Sequence, residues 1–150
     1  MLEWDGYARL FGEEGAALSD AQWIAQANDA LPPNLSALNA RFTAGNRAEE
    51  FLQIRYMPGP ASFSFTRLSC GSIAEMLGQT AQHCGAFVTS YPCPALTLTV
   101  NFLHTGVGAS FVATAGMLAV KQGCATVAAE LTDERERLIA SASVVVSVGA

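Results

Sequence analysis

From Ser72 to Thr89 the chain keeps helical periodicity with one formally charged side chain, Glu75. Ile73, Met76, Leu77, Thr80, Ala81, Cys84, Phe87 and Val88 recur on one face of that helix. Ser72 is read as its N-cap, with Glu75 at the capping-box spacing. Gly78 in mid-helix costs about 1 kcal/mol relative to alanine, a cost that fits a neighbour packed close against the backbone. A helix so poor in charge cannot lie open to water. A sheet curved around it is the cover that a chain of this size can supply.

The sequence after the helix provides that sheet. Beyond Pro92 and Pro94, Leu96, Leu98, Val100 and Phe102 alternate with Thr97, Thr99, Asn101 and Leu103. Ser110 to Val120, Cys124 to Leu131 and Leu138 to Val148 read as three more strands, turned at Gln122-Gly123 and at the charged run Asp133 to Arg137. The expectation is a four-stranded antiparallel meander. Before the helix, Ala37 to Thr43 reads as a strand turned at Gly45-Asn46. Phe51 to Tyr56 reads as another, closed by Pro58-Gly59-Pro60, and a loop runs on to Cys70. The start of the chain is helical. Trp4 to Phe11 is amphipathic and ends at Gly12 and Gly15. Ser19 or Asp20 caps a second helix carrying Trp23, Ile24, Ala27 and Leu31, which Pro32-Pro33 stops. The fold class is α+β, with a helical extension over residues 1–36 and the main domain over 37–150.

Composition narrows the functional classes. A chain of 150 residues is one domain and can bury roughly 70% of its unfolded surface without staples. Only 14% of its residues are charged, against about 25% in a typical soluble domain, so some surface is expected to be covered by another copy. A net charge of −5 argues against nucleic-acid binding, which requires basic surface. Cys70, Cys84, Cys93 and Cys124 have no C-x-x-C spacing, so no metal site is expected. No apolar run is long enough to span a membrane, and the acidic start around Glu3 and Asp5 lacks the pattern of a secretory leader. A cytoplasmic protein is the expectation.

The segment Leu96-Thr97-Leu98-Thr99-Val100-Asn101-Phe102-Leu103 is similar to the L-x-x-N-F-L strand of phenylacetate-pathway-type and 4-hydroxybenzoyl-CoA-type thioesterases. Arg137-Leu138-Ile139-Ala140-Ser141-Ala142 resembles the opening of their last strand, and Gly123 stands at their hairpin turn. With the order of elements, residues 37–148 resemble the hotdog fold, an antiparallel sheet wrapped around one long helix. The resemblance implies hydrolysis of an acyl-CoA or acyl-carrier thioester at the interface of a homodimer or dimer of dimers. Coenzyme A would enter as part of the substrate, with no separate cofactor.

The family's H-G-G before the helix is here Cys70-Gly71-Ser72, so the middle glycine is kept and the histidine is not. The resemblance gives the Gly71 N–H the task of polarising the thioester carbonyl, with the helix end adding positive potential. Cys70 and Ser72 flank it as substrate-binding candidates. The family's catalytic acid sits eight residues after that glycine, where this chain has Gln79. A glutamine can orient water but cannot act as a carboxylate base. Glu75 and His83 lie one turn to either side, making a polar stripe. Glu75 and Gln79 are the catalytic candidates with Gly71, and His83 is a substrate-binding one. The Glu75-Gln79 spacing also resembles hydroxyacyl-thioester dehydratases, and the missing His and acid leave room for an inactive acyl-thioester binder. Each residue has a plain alternative: a turn for Gly71, a cap for Glu75, a buried amide for Gln79, and an interface or solvent-facing imidazole for His83. Lys121, Arg135 and Arg137 lie near turns, as ordinary surface charge or as partners of a coenzyme A phosphate.

Overall fold

The structure is a computed structural model that describes residues 4–148. Residues 1–3 and 149–150, with the Glu3 expectation and the outer ends of both sequence segments, lie outside the described residues. Four short helices come first: α1 (Trp4–Ala8), α2 (Gly12–Ala17), α3 (Asp20–Asp29) and α4 (Pro33–Ser36). Strands β1 (Ala40–Asn46) and β2 (Phe51–Tyr56) follow. The expected loop up to Cys70 holds a small ladder, β3 (Phe63–Ser64) with β4 (Arg67–Leu68). The long helix α5 (Cys70–Thr89) precedes β5 (Ala95–Phe102), β6 (Phe111–Lys121), β7 (Cys124–Thr132) and β8 (Leu138–Ser147).

The large sheet has the order β1-β2-β6-β7-β8-β5, antiparallel throughout. Only β6, β7 and β8 form a meander. The expected four-strand meander is corrected at β5, which pairs with β8 and not with β6. Residues 103–110 make the crossing, and at that length they exceed a hairpin loop of about 2–5 residues. Two contacts fix this crossing. Leu68 donates its N–H to the Gly106 carbonyl at 2.8 Å, and Glu134 Oε1 accepts from the N–H groups of Ala109 and Ser110 at 2.8 and 2.9 Å.

Two further expectations change for reasons of packing. Gly45-Asn46 is not a turn but the end of β1, and the chain reverses over residues 47–50. A side chain at Gly45 would come within 2.9 Å of the Phe87 ring, so the glycine makes room for that ring. The N-cap of α5 is Ser69, not Ser72. Its Oγ accepts from the Ser72 N–H at 3.2 Å, while its own N–H donates to the Ser62 carbonyl at 2.9 Å and thereby sets where the helix starts. Glu75 is therefore no capping-box residue. At α3 the reading holds: Ser19 and Gln22 form the reciprocal box.

Helix α5 is buried on more than the face seen in the sequence. Ile73, Met76, Leu77, Ala81, Cys84 and Phe87 meet the sheet side of the core, and His83, Gly85 and Ala86 are buried as well. The second face is covered by the N-terminal helices, with Trp23 in edge contact with Phe87 at 5.0 Å and Tyr7 stacked toward His83 at 5.9 Å. Buried Tyr56 in β2 donates its hydroxyl to the Met76 carbonyl at 3.1 Å, tying sheet to helix.

Arg47, in the β1–β2 turn, locks these layers together. Its guanidinium donates to the Phe87 carbonyl at 2.9 Å, the Gly15 carbonyl at 3.1 Å and the Leu18 carbonyl, and it lies 5.1 Å from the centre of the Phe87 ring. The Phe87 and Leu18 carbonyls find in it a donor that no backbone N–H of the described residues supplies, and the Gly15 carbonyl, already bonded to the Leu18 N–H, gains a second. Replacing Arg47 by Met is expected to lower stability by about 2–4 kcal/mol, since charged hydrogen bonds are lost and buried carbonyls are left unpaired. Urea unfolding of the two proteins measures this; a loss below about 0.5 kcal/mol would show that the clamp is dispensable.

Candidate active site

The first turn of α5 leaves donors free. Ser72 N–H is taken by Ser69 Oγ and Ile73 N–H by the Ser69 carbonyl. The N–H groups of Cys70 and Gly71 have no acceptor among the described residues. Both residues are exposed, and a Cβ on Gly71 would meet nothing within 4 Å, so a ligand can come up to this backbone. Two adjacent donors at the positive end of a twenty-residue helix are suited to an oxyanion. Beside them lies a cavity of about 560 Å³ walled by Arg67, Leu68, Cys70, Ile73, Phe102 and the crossing residues 103–106. Arg67 and His104 give it a polar side, and neither figured among the candidates for chemistry in the sequence. Ser72 is drawn into the cap, its Oγ receiving the Ser69 hydroxyl at 2.9 Å.

Glu75 and Gln79 come together one turn further along. Gln79 Nε2 donates to Glu75 Oε1 at 3.0 Å. A carboxylate can only accept, so it is the nitrogen of the amide that faces Glu75, and Gln79 Oε1 is turned away as a free acceptor. Glu75 is exposed and Gln79 half-buried. Gly71 is not within reach of Gln79 in the same chain: eight residues of helix separate them by about 12 Å.

His83 is neither solvent-facing nor available. It is buried, with Nδ1 at 2.7 Å from the Gln79 carbonyl and Nε2 at 2.7 Å from the Tyr7 hydroxyl. A carbonyl only accepts, so Nδ1 carries the proton and Tyr7 donates to Nε2. Burial holds the imidazole neutral, pushing its pKa down to about 4, and burial also lifts the Tyr7 hydroxyl to about 12. Sequence reasoning misses Tyr7 because its partner lies 76 residues away; its only signal is its place with Phe11 in one amphipathic stretch, which the structure divides between α1 and the N-cap of α2. A second cavity, of about 530 Å³, lies between these N-terminal residues and the later turns of α5, reaching Gln79, His83 and Ala86.

The remaining candidates separate. Cys84 is buried, with its thiol pushed up to about 12 by desolvation. Arg137 is spent on Asp133, whose carboxyl accepts from Arg137 N–H, Arg137 Nε and Arg135 N–H, each at 2.9 Å. The Arg137 N–H, with these other donors, holds that carboxyl below the usual range. No group of His, Cys, Asp and Glu able to hold a metal occurs among the described residues, and none of their helices is long and apolar enough to cross a membrane.

No protein-family model matches the sequence, and no curated protein matches it. Solved structures do. The Escherichia coli PaaI protein from the phenylacetic acid degradation operon superposes with a TM-score of 0.76 over 87% of this chain and 94% of its own, at 14% identity. A phenylacetic acid degradation-related protein of Ralstonia eutropha gives 0.75 over 86% and 98%, at 17% identity. The chain has the hotdog fold. A third hotdog structure, a Streptococcus mutans protein solved with acetyl CoA bound, gives a TM-score of 0.67 over 75% of this chain and 90% of its own, at 12% identity.

The buried imidazole makes a pH-dependent contribution with a definite sign. The unfolded chain protonates His83 near pH 6.5, and the folded chain refuses the proton until about 4. The stability it contributes is therefore complete above pH 6.5 and is lost as pH falls toward 4, by about 3 kcal/mol. Urea midpoints between pH 7 and 4 for wild type and His83→Gln are expected to show a shallower fall in the variant. Equal slopes would mean that His83 binds its proton as readily in the folded chain as in the unfolded one.

Proposed function

We propose that this chain hydrolyses acyl thioesters as a homodimer, with coenzyme A or a carrier protein as the leaving thiol. The observation that carries this reading is the pair of free N–H groups of Cys70 and Gly71, open at the α5 N-terminus beside a ligand-sized cavity. A solved structure similar in fold, a protein from the thioesterase superfamily, points the same way.

The dimer follows from reach and from exposure. Gln79 lies about 12 Å along the helix from Gly71 and cannot close with it on one carbonyl within one chain, whereas two antiparallel α5 helices would bring the start of each to the middle of the other. Strand β5 supports this arrangement. It is an edge strand with no charge and no proline, and Leu96, Leu98 and Phe102 stand 40–57% exposed along it. Such an edge is a template for pairing with a second copy. The low proportion of charge in the composition fits the same interface.

In the reaction, Cys70 and Gly71 N–H groups hold the carbonyl oxygen. Gln79 Oε1 orients a water molecule, and the Glu75 carboxylate takes its proton as the oxygen attacks the carbonyl carbon. The tetrahedral oxyanion collapses, the C–S bond breaks, and the departing thiolate recovers the proton from Glu75. Of the two histidines, His83, which lies one turn from Gln79, is closed by Tyr7, and this removes the histidine nearest the Glu75–Gln79 pair from a dehydratase role.

Thiol release from a panel of acyl-CoA esters tests the proposal. Glu75→Gln is expected to lower kcat at least a hundredfold, the usual worth of a general base, and Gln79→Ala about tenfold, the worth of one hydrogen bond in the transition state. Binding without turnover across the panel would overturn hydrolysis in favour of an acyl-thioester binder. Leu96→Lys places a charge on the β5 edge and is expected to shift sedimentation toward monomer, with turnover falling in parallel; a fully active monomer would refute the shared site.

A further inference from the structure

We infer that the cavity between α1 and the later turns of α5 is the seat of the acyl chain, and that the N-terminal helices set the chain length it accepts. This rests on the thioester reading above and extends it to the substrate's tail. The cavity begins at Gln79, the residue placed beside the reacting carbon, and reaches Ala86, about 10 Å further along the helix. Its volume of about 530 Å³ lies within the range of ligand pockets.

The chemistry of its walls selects the guest. Tyr7 and His83 satisfy each other, and His83 is neutral. Gln82 donates to the Gly78 carbonyl at 3.3 Å and accepts from the Ala95 N–H at 3.1 Å. Asn34 Oδ1 accepts from the Leu35 N–H at 3.0 Å. Among the described residues no ionised side chain lines the space, so a carboxylate or phosphate inside it finds no counter-charge among them. An apolar acyl group suffers no such penalty. Pro32, Pro33, Pro92 and Pro94 stiffen the walls, so little ordering is needed on binding. The cavity at the other end of α5 has the opposite character, with Arg67 and His104 exposed for a polar, phosphorylated carrier. The two cavities thus divide a thioester into its two halves.

Phe11, from the N-terminal segment, and Ala86, on α5, are the residues that set the depth. The test is calorimetric binding of non-hydrolysable coenzyme A analogues, acetyl to palmitoyl, to the full-length chain, with thiol release from the corresponding acyl-CoA thioesters followed in parallel and melting used to confirm the fold. Wild-type affinity is expected to rise roughly fourfold per methylene until the cavity is filled, and then to level off. Ala86→Leu should bring the plateau at least two carbons earlier, and Phe11→Ala should delay it. A length dependence unchanged in both folded variants would overturn the inference, and continued thiol release in that case would leave the hydrolase reading standing. Plateaus that shift as expected without any thiol release would uphold the acyl seat and sink the hydrolase.

Discussion

Helix α5 has too little charge to face water on any long side, and the rest of the molecule is arranged to satisfy that demand. The curved sheet covers one side of it. The sheet alone would leave His83 open, and Tyr7 of the N-terminal helices closes that second side. Close approach is what the small residues of α5 permit. A side chain at Gly85 would come within 2.7 Å of the Cys93 Cβ, so the segment leading into β5 lies directly on the helix. Arg47 then fastens the helical layer to the end of α5 through three carbonyls. Burial drives this assembly, and the hydrogen bonds choose among its possible registers.

The same helix organises the candidate chemistry by position along its length. Its first turn has backbone donors and open space. Its second turn carries Glu75 and Gln79, hydrogen-bonded so that one amide oxygen is left over. Its later turns form the wall of a cavity that no ionised group lines among the described residues. In the proposed pairing, the polar end of one such rod meets the middle and apolar recess of another, an arrangement suited to a substrate that is polar at one end and greasy at the other.

Much of this could be read from local pattern, and the failures share a cause. The periodicity of 72–89 and the alternation of Leu96 to Phe102 reflect burial directly, so the helix and the strands were legible. The neighbour that each strand chooses is not a local property, and β5 was assigned to β6 when it pairs with β8. Gly45-Asn46 has turn chemistry, but its glycine answers to the Phe87 ring, a contact invisible in sequence. Ser69 and Ser72 both have capping chemistry, and only the bond from Ser69 N–H to the Ser62 carbonyl decides between them. The candidate stripe Glu75-Gln79-His83 was sound in spacing, yet His83 faces Tyr7 across 76 residues of chain and leaves the stripe.

The bare strand β5 has a consequence for the life of the newly made chain. Most exposed edges are guarded by lysine, proline or a bend, and Ala95 to Phe102 has neither charged residue nor proline. Under the proposed pairing of two copies, a freshly folded molecule carries a sticky ribbon until it meets a second one. Scarcity, not crowding with identical copies, would be its dangerous condition, because a rare chain waits longest with that ribbon uncovered. The net charge of −5 offers mild protection in the meantime, keeping strangers at a distance until a matching edge arrives.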